Sequence, residues 1–215
     1  MTVLCRYLDV SFLNDERIFQ HCMNALPWES RRERITAFRH PGDRNLSLGA
    51  GLLLERMLKE AGVKDLTLKT EASGKPVLVS GEVQFSISHS GTMAVCAVSA
   101  EPIGVDAERI RPIRRNEIMR FFHPQEAALI RQSEQPDLEL LRIWTRKESY
   151  GKRIGSGIGY ALKQFCFSDP QMDASVHFQE CLAEDYLITV CTEREAHVQF
   201  VKTECSEEWC ASAAE

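Results

Sequence analysis

The hydrophobic period of this chain changes several times, and those changes limit the fold more than any other feature. Leu46, Leu48, Leu52, Leu53, Met57 and Leu58 recur at helical spacing and stop near Gly62, which predicts an amphipathic helix closed by a glycine. Beyond it the period falls to two. Short runs at 66–70, 77–79, 83–88, 93–99 and 103–108 are separated by SGKP, SGE, HSGT and AEP, the pattern of short strands joined by turns. Helical patterns return at about 114–121, 124–132 and 137–153, and strand patterns at 163–167, 175–180, 185–192 and 197–202. Ahead of all these lie a strand pattern at 3–10, a helical one at about 14–25, and PWESRRERITAFRH, with charge on one face and Ile35 and Phe38 on the other. Helices and antiparallel-type strands are thus mixed in each half, which predicts an α+β fold of two similar halves packed together. We place the boundary so that residues 1–101 form the first half and 102–215 the second. No Gly-, Ser- or Pro-rich linker separates them.

Composition excludes several classes. The chain has 215 residues, 44% hydrophobic and 27% charged, with a net charge of -5. That is ordinary for a soluble domain and opposite in sign to the basic excess of a nucleic-acid binder. The start, MTVLCRYLDVSFLNDER, has its apolar stretch broken by Arg6 and Asp9, unlike a signal peptide. Nowhere do about 18 apolar residues run together, so a cytoplasmic protein with no spanning helix is expected. The eight cysteines form no CxxC pair, and buried reduced thiols are expected of them rather than disulfides or zinc ligands.

Several segments carry potential chemistry. In IGVDAERI, residues 103–110, strand alternation sends Val105 and Ala107 one way and Asp106 and Glu108 the other. Two carboxylates on one face either converge on a hard cation or form a solvated strand face. In WTRKESYGK, residues 144–152, Trp144, Glu148 and Lys152 fall on one helical stripe. Glu148 and Lys152 are then either a surface ion pair or a third carboxylate beside a phosphate-neutralising ammonium. Trp144 reads as a core anchor. In FSISHSG, residues 85–91, Ser88 and His89 enter a turn, with a structural role or with donors for a phosphate. Arg31, Arg32, Arg34, Arg39 and Arg44 are interleaved with Glu29 and Glu33, so they form a solvated helix face unless a phosphate draws on them. Lys75 in SGKPVL is an exposed turn residue or a phosphate partner. No GxxxxGK[ST] loop, GxGxxG in a βαβ context, GxSxG elbow or HExxH competes. GSGIG at 155–159 follows a helix rather than joining a strand to one.

Taken in order, Pro27 to Ser47, GKP at 74–76, SISHSG at 86–91, IGVDAE at 103–108, RFFHPQE at 120–126 and WTRKESYGK at 144–152 resemble the Sfp-type 4'-phosphopantetheinyl transferases of the holo-acyl-carrier-protein synthase superfamily. The resemblance runs from residue 27 to residue 168. It implies two pseudosymmetric α+β halves with coenzyme A in the cleft between them. It also implies transfer of the 4'-phosphopantetheine arm to a serine of an apo acyl or peptidyl carrier protein. Asp106, Glu108 and Glu148 would hold magnesium, and Lys152 would neutralise the pyrophosphate. Ser88 and His89 would bind nucleotide phosphates, Lys75 and Pro76 would lie near the adenine, and Arg31, Arg34 and Ser47 would lie near the ribose 3'-phosphate. Glu148 is the first candidate for the base that takes the serine proton, and Glu126 the second. Many relatives carry a lysine in the turn after Lys152, where this chain has Ser156 between Gly155 and Gly157; a serine cannot supply that charge. A chain carrying both walls of the cleft is expected to act as a monomer, and the region after Phe121 is the candidate surface for the carrier's acidic helices. The rival reading is a non-catalytic coenzyme A or nucleotide-binding module of the same fold.

Overall fold

A computed structural model describes residues 2–156, 165–166 and 176–204. The first half contains β1 (Thr2–Asp9), a 3-10 turn (Ser11–Asn14), α1 (Glu16–Ala25), α2 (Glu29–Ala37), α3 (Pro41–Glu60), β2 (Leu68–Thr70), β3 (Pro76–Leu78), β4 (Gln84–Ser90) and β5 (Met93–Ser99). The second contains β6 (Ile103–Arg109), α4 (Arg115–Met119), α5 (Pro124–Gln132), α6 (Pro136–Ile154), β7 (His177–Ala183), β8 (Tyr186–Thr192) and β9 (His197–Lys202).

Each half lays one long helix on a sheet. In the first, α3 starts with Pro41 at a position where its missing N–H costs nothing, with Asp43 in the first turn and Lys59 in the last, both matched to the helix dipole. Leu48, Leu53, Leu54 and Leu58 are fully enclosed as the helix packs on β5 and β4. In the second, α6 repeats this design. Pro136 opens it, Asp137 and Glu139 occupy its first turn, and Lys152 and Arg153 its last. Gly155 ends it at φ 72°, a left-handed cap that suits glycine. This cap explains the first glycine of GSGIG; residues 157–159 of that motif lie outside the described residues. The α6 helix crosses β6 and β8.

Two sheets carry these helices. One runs β4-β5-β1-β9, the other β6-β8-β7, and β2-β3 is a separate hairpin. Among the described residues all pairings are antiparallel except β1 with β9. The last strand therefore leaves the second half and completes the sheet of the first, which the period of the sequence does not reveal. Gln179 of β7 strengthens this crossing, its side-chain oxygen accepting the Val198 N–H at 2.8 Å. Val3, Cys5 and Val95 from one sheet meet Val105, Ile188 and Val190 from the other in a shared core.

The two sheets also meet at a seam between their edge strands, β4 and β6. The hydroxyl oxygens of Ser86, Ser88 and Ser90 accept the backbone N–H groups of Val105, Ala107 and Arg109 at 3.0, 3.4 and 3.2 Å. Side chains thus satisfy an edge that ordinary strand pairing leaves open.

Local chemistry shifts several expected boundaries. Asp15 accepts the N–H groups of Arg17 and Ile18 and caps α1, so the segment before it winds as a 3-10 turn. The expected strand at 66–70 begins at Leu68. The Trp28 indole N–H donates to the Leu66 carbonyl, and the Asp65 carboxylate accepts the Thr67 N–H. The pattern at 114–121 gives only the short α4. The expected strand at 163–167 lies mostly outside the described residues, and its described members, 165–166, have no regular structure. The six described cysteines, Cys5, Cys22, Cys96, Cys166, Cys181 and Cys191, are free, and all but Cys181 are buried. Among the described residues no helix is long and apolar enough to cross a membrane.

Candidate active site

Gly104 lets β6 and α6 touch, and that contact builds the site. A methyl group on Gly104 would stand 1.8 Å from the Ser149 carbonyl oxygen and 2.7 Å from the Arg153 nitrogen. Only a glycine allows this approach. On β6, alternation buries Val105 and Ala107 in the core and turns Asp106 and Glu108 toward the neighbouring cavity. On α6, the four-residue spacing brings Glu148 and Lys152 to the same cavity.

The cavity has a volume of about 540 Å³ and lies between the halves. Arg31, Arg34, Phe38 and Ser47 line it from the helical wall of the first half, Lys75 and Pro76 from the β2-β3 hairpin, and Ser86 to His89 from β4. Every site residue expected from the sequence lines this cavity except Glu126.

Lys152 stands at the centre of the polar network. Its ammonium donates to Asp106 Oδ1 at 2.8 Å and to Ser88 Oγ at 2.9 Å. Ser88 in turn donates to Asp106 Oδ1 at 2.8 Å. Glu108 Oε2 accepts the Ser90 hydroxyl at 2.9 Å, and the carboxylate also takes a hydrogen bond from the Trp144 side chain. Glu148 is left among like charges. Burial first, then Asp106 and Glu108, lift its carboxyl to about 7, against the pull of Lys152. Burial and Asp106 also raise Glu108, with Ser90 and Trp144 opposing.

At the other end the cavity is cationic. Arg31 Nε and Nη2 donate to the Ser47 carbonyl at 3.2 and 2.8 Å. Burial, with help from Arg34, brings the Arg31 guanidinium down to about 10. Burial, Lys152 and Arg31 lower the His89 imidazole below its ordinary value, so it is held neutral as a donor or acceptor. Lys75 Nζ donates to the carbonyl of Lys152 at 2.7 Å and hooks the hairpin tip of the first half onto the last turn of α6.

The carboxylate end fits a hard divalent cation. Asp106 Oδ2 is buried without a hydrogen-bond partner, an orphaned acceptor that is costly unless a ligand completes it. The donors are all carboxylate oxygens, which suit magnesium. Among the described residues no three His, Cys, Asp or Glu side chains are gathered closely enough to hold a metal ion as they stand; the Lys152 ammonium occupies Asp106 Oδ1.

Glu126 requires a correction as a candidate base. It has no exposed surface and pairs with the fully buried Lys147 at 2.9 Å. It also caps α5 by accepting the His123 N–H at 3.3 Å. Lys147 further donates to the Phe165 carbonyl. This pair ties α5 to α6 behind the cavity wall, so of the two candidate bases Glu148 alone lines the cavity. Ser156 donates its backbone N–H to the Gly151 carbonyl at 3.1 Å in the cap of α6.

Two contributors were not read from the sequence. Trp144 is partly an anchor, edge-on to Phe122 with centroids 6.3 Å apart, yet its side chain also holds Glu108. Ser90 fixes the same carboxylate from the opposite strand. The signal for Ser90 was present in the alternation of Ser86, Ser88 and Ser90 along one face of β4.

A cleft between two α+β halves, cationic at one end and acidic at the other, suits a phosphorylated ligand. The comparisons name the family. Residues 102–214 match the 4'-phosphopantetheinyl transferase superfamily, and residues 14–101 match the 4'-phosphopantetheinyl transferase N-terminal family. The chain belongs to the 4'-phosphopantetheinyl transferase superfamily. It is 32% identical over 142 residues to a 4'-phosphopantetheinyl transferase of Bacillus subtilis, covering 63% of each chain. It is 28% identical over 209 residues to 4'-phosphopantetheinyl transferase psf-1 of Bacillus pumilus, covering 88% of this chain and 90% of that one. To the L-aminoadipate-semialdehyde dehydrogenase-phosphopantetheinyl transferase of Homo sapiens it is 30% identical over 156 residues, covering 63% of this chain and 50% of the other. Its match to the Bacillus subtilis relative thus spans a little under two thirds of that protein.

Proposed function

We propose that the protein transfers the 4'-phosphopantetheine group of coenzyme A to a serine hydroxyl of an apo acyl or peptidyl carrier protein, releasing 3',5'-ADP. The observation that carries this reading is the meeting of Asp106, Glu108, Glu148 and Lys152, from two elements, in the cleft between the halves.

The serine oxygen forms a bond to the phosphorus that bears the pantetheine arm, and the bond from that phosphorus to the bridging oxygen breaks. Such a reaction depends on positioning and charge neutralisation more than on covalent help. Lys152 lies where it neutralises a pyrophosphate oxygen, and Ser88 and His89 supply donors beside it. Arg31 and Arg34 form the cationic end that suits the ribose 3'-phosphate, with Ser47 holding Arg31 in place. Lys75 and Pro76 close the cavity near the adenine. Glu148 accepts the serine proton directly or through one water, a role typically worth ~10²–10⁴-fold in rate. Magnesium, bound through Asp106, Glu108 and Glu148, would neutralise charge on the pyrophosphate.

One chain supplies both walls of the cleft, which supports a monomer. Free thiols at all six described cysteines accord with a reducing, cytoplasmic setting. Phe121 is 43% exposed with the Arg120 guanidinium 4.8 Å from its ring centroid, an apolar and basic pairing suited to an acidic carrier helix.

Nucleotide chromatography tests the reaction. With coenzyme A, magnesium and an apo carrier, 3',5'-ADP should accumulate mole for mole with carrier consumed, and none should form without carrier. Coenzyme A that binds tightly yet yields no 3',5'-ADP with any of several carriers would make the protein a binding module instead.

A further inference from the structure

The seam between β4 and β6 carries more than the joint between the sheets. Ser86, Ser88 and Ser90 sit at every second position of β4, opposite Val105, Ala107 and Arg109 of β6. Each hydroxyl oxygen takes one backbone N–H of β6. A serine hydroxyl can also donate once, and two of the three donate to a carboxylate of the cleft. Ser88 donates to Asp106 Oδ1 at 2.8 Å and Ser90 to Glu108 Oε2 at 2.9 Å. Each carboxylate belongs to the residue just before the one whose N–H the same serine accepts. Ser86 contacts only the backbone at this seam, accepting from Val105.

We propose that Ser88 and Ser90 are positioning residues for the acidic end of the cleft, each clamping one β6 carboxylate to the backbone of its own strand. This inference rests on the reading of Asp106 and Glu108 as ligands of a divalent cation. The clamp works as follows. The serine is oriented by the N–H it accepts, so its proton has one direction to go. That direction fixes one oxygen of the carboxylate and leaves the other turned away from the seam. Asp106 shows the outcome: Oδ1 is engaged by Ser88 and Lys152, while Oδ2 is buried without a partner. Because β4 belongs to the first half and β6 to the second, the same bonds tie carboxylate orientation to the alignment of the two halves. Groups that orient a ligand in this way typically contribute 10- to 100-fold, on the order of 10-fold at the low end, to metal affinity.

Ser90 is the position to test. Ser88 also accepts from Lys152 and lines the cleft, so its loss would disturb several contacts at once. The experiment titrates the full-length protein with manganese, which takes the same oxygen donors as magnesium, and reads free Mn²⁺ by electron paramagnetic resonance, with and without coenzyme A. Ser90→Ala should bind Mn²⁺ about 10-fold more weakly than wild type. In the titration without coenzyme A, where its place in the cavity lining does not enter, Ser86→Ala removes a seam bond but no carboxylate contact and should stay within about twofold by the same argument. Ser90→Thr and Ser90→Val form a second pair, close in shape and differing in the hydroxyl. The threonine variant should bind as wild type does and the valine variant as Ser90→Ala does. Asp106→Asn serves as the reference for loss of the site. If Asp106→Asn abolishes binding while Ser90→Ala and Ser90→Val bind as wild type does, the clamp is refuted and the cation site stands. If Ser86→Ala weakens binding as much as Ser90→Ala, the seam acts only by holding the halves together and the clamp is again refuted. If wild type binds no Mn²⁺, or Asp106→Asn binds it unchanged, the cation reading fails and the clamp fails with it.

Discussion

Replacing Gly104 by alanine adds one methyl group at the point where β6 meets α6. The new carbon would lie 1.8 Å from the Ser149 carbonyl oxygen, 2.8 Å from its carbon and 2.7 Å from the Arg153 nitrogen. All three are backbone atoms of a helix, so no side chain can swing aside. Strand and helix must separate by roughly an ångström or more to restore ordinary contact. Overpacking of this kind costs about 1–3 kcal/mol, which for a chain of this length lowers the melting temperature by about 3–10 °C. The effect on activity should be larger than the stability loss suggests. Asp106 and Glu108 ride on the strand, Glu148 and Lys152 on the helix, and the 2.8 Å contact between Lys152 and Asp106 spans the gap. A misplacement of about 1 Å in such a set costs about 10²-fold in rate. The assay pairs a thermal melt with kcat/KM for carrier modification below the melting range. Gly49→Ala is the control. Its methyl would meet Val10 Cγ1 at 2.3 Å in the core of the first half, so it should lose comparable stability and keep activity within about threefold, as distant sites do not couple. Gly104→Ala with activity near wild type would refute the claim that strand–helix closeness sets the site. Equal activity loss in the two variants would refute it as well.

Three further predictions concern the buried charges. Glu126→Gln leaves Lys147 buried beside a neutral group and should cost about 3–5 kcal/mol in urea denaturation, whereas Glu126→Gln with Lys147→Met should recover much of it; a loss under about 1 kcal/mol would contradict a structural role. Glu148, lifted to about 7 by burial and its acidic neighbours, stays protonated in the fold after the unfolded chain has ionised. Its contribution to metal-free stability should therefore be full below about pH 4.5 and be lost as pH rises through 7, by on the order of 1–2 kcal/mol after solvent screening. Magnesium should raise the melting temperature more at pH 8 than at pH 5.5, and Glu148→Gln should flatten the metal-free slope; a pH-independent wild type would count against the crowded carboxylates. Lys75→Met, which releases the hairpin from the Lys152 carbonyl, should raise KM for coenzyme A about 10-fold with a smaller change in kcat, the low end of what one charged hydrogen bond contributes. An unchanged KM would show that the hook does not shape the cleft.

The readable parts of this fold are those governed by short-range periodicity. Alternation alone turned Asp106 and Glu108 to one face, and four-residue spacing alone aligned Glu148 with Lys152. Both held because β6 and α6 are regular over their whole lengths. Glu126 and Lys147 were not readable. Lys147 precedes Glu148 in WTRKESYGK, and nothing local shows that it points to the opposite side of the helix, into a carboxylate 21 positions upstream. Pairings of that kind depend on how helices pack, as does the parallel docking of β9 on β1. Trp144 shows an intermediate case. Its apolar body predicts an anchor, and it is one, but the polar edge of an indole seeks a partner when enclosed, here Glu108. The serine seam lay open in the alternation at 86, 88 and 90, but its meaning needed β6 beside it.

The central claim is that this cleft transfers phosphopantetheine. Intact-mass measurement of an apo carrier, after incubation with coenzyme A, magnesium and either wild type or Asp106→Ala, tests it most directly. The account predicts a gain of one phosphopantetheine per carrier with wild type and no gain with a folded Asp106→Ala. No gain with wild type across several carriers, or an equal gain with the variant, would contradict it.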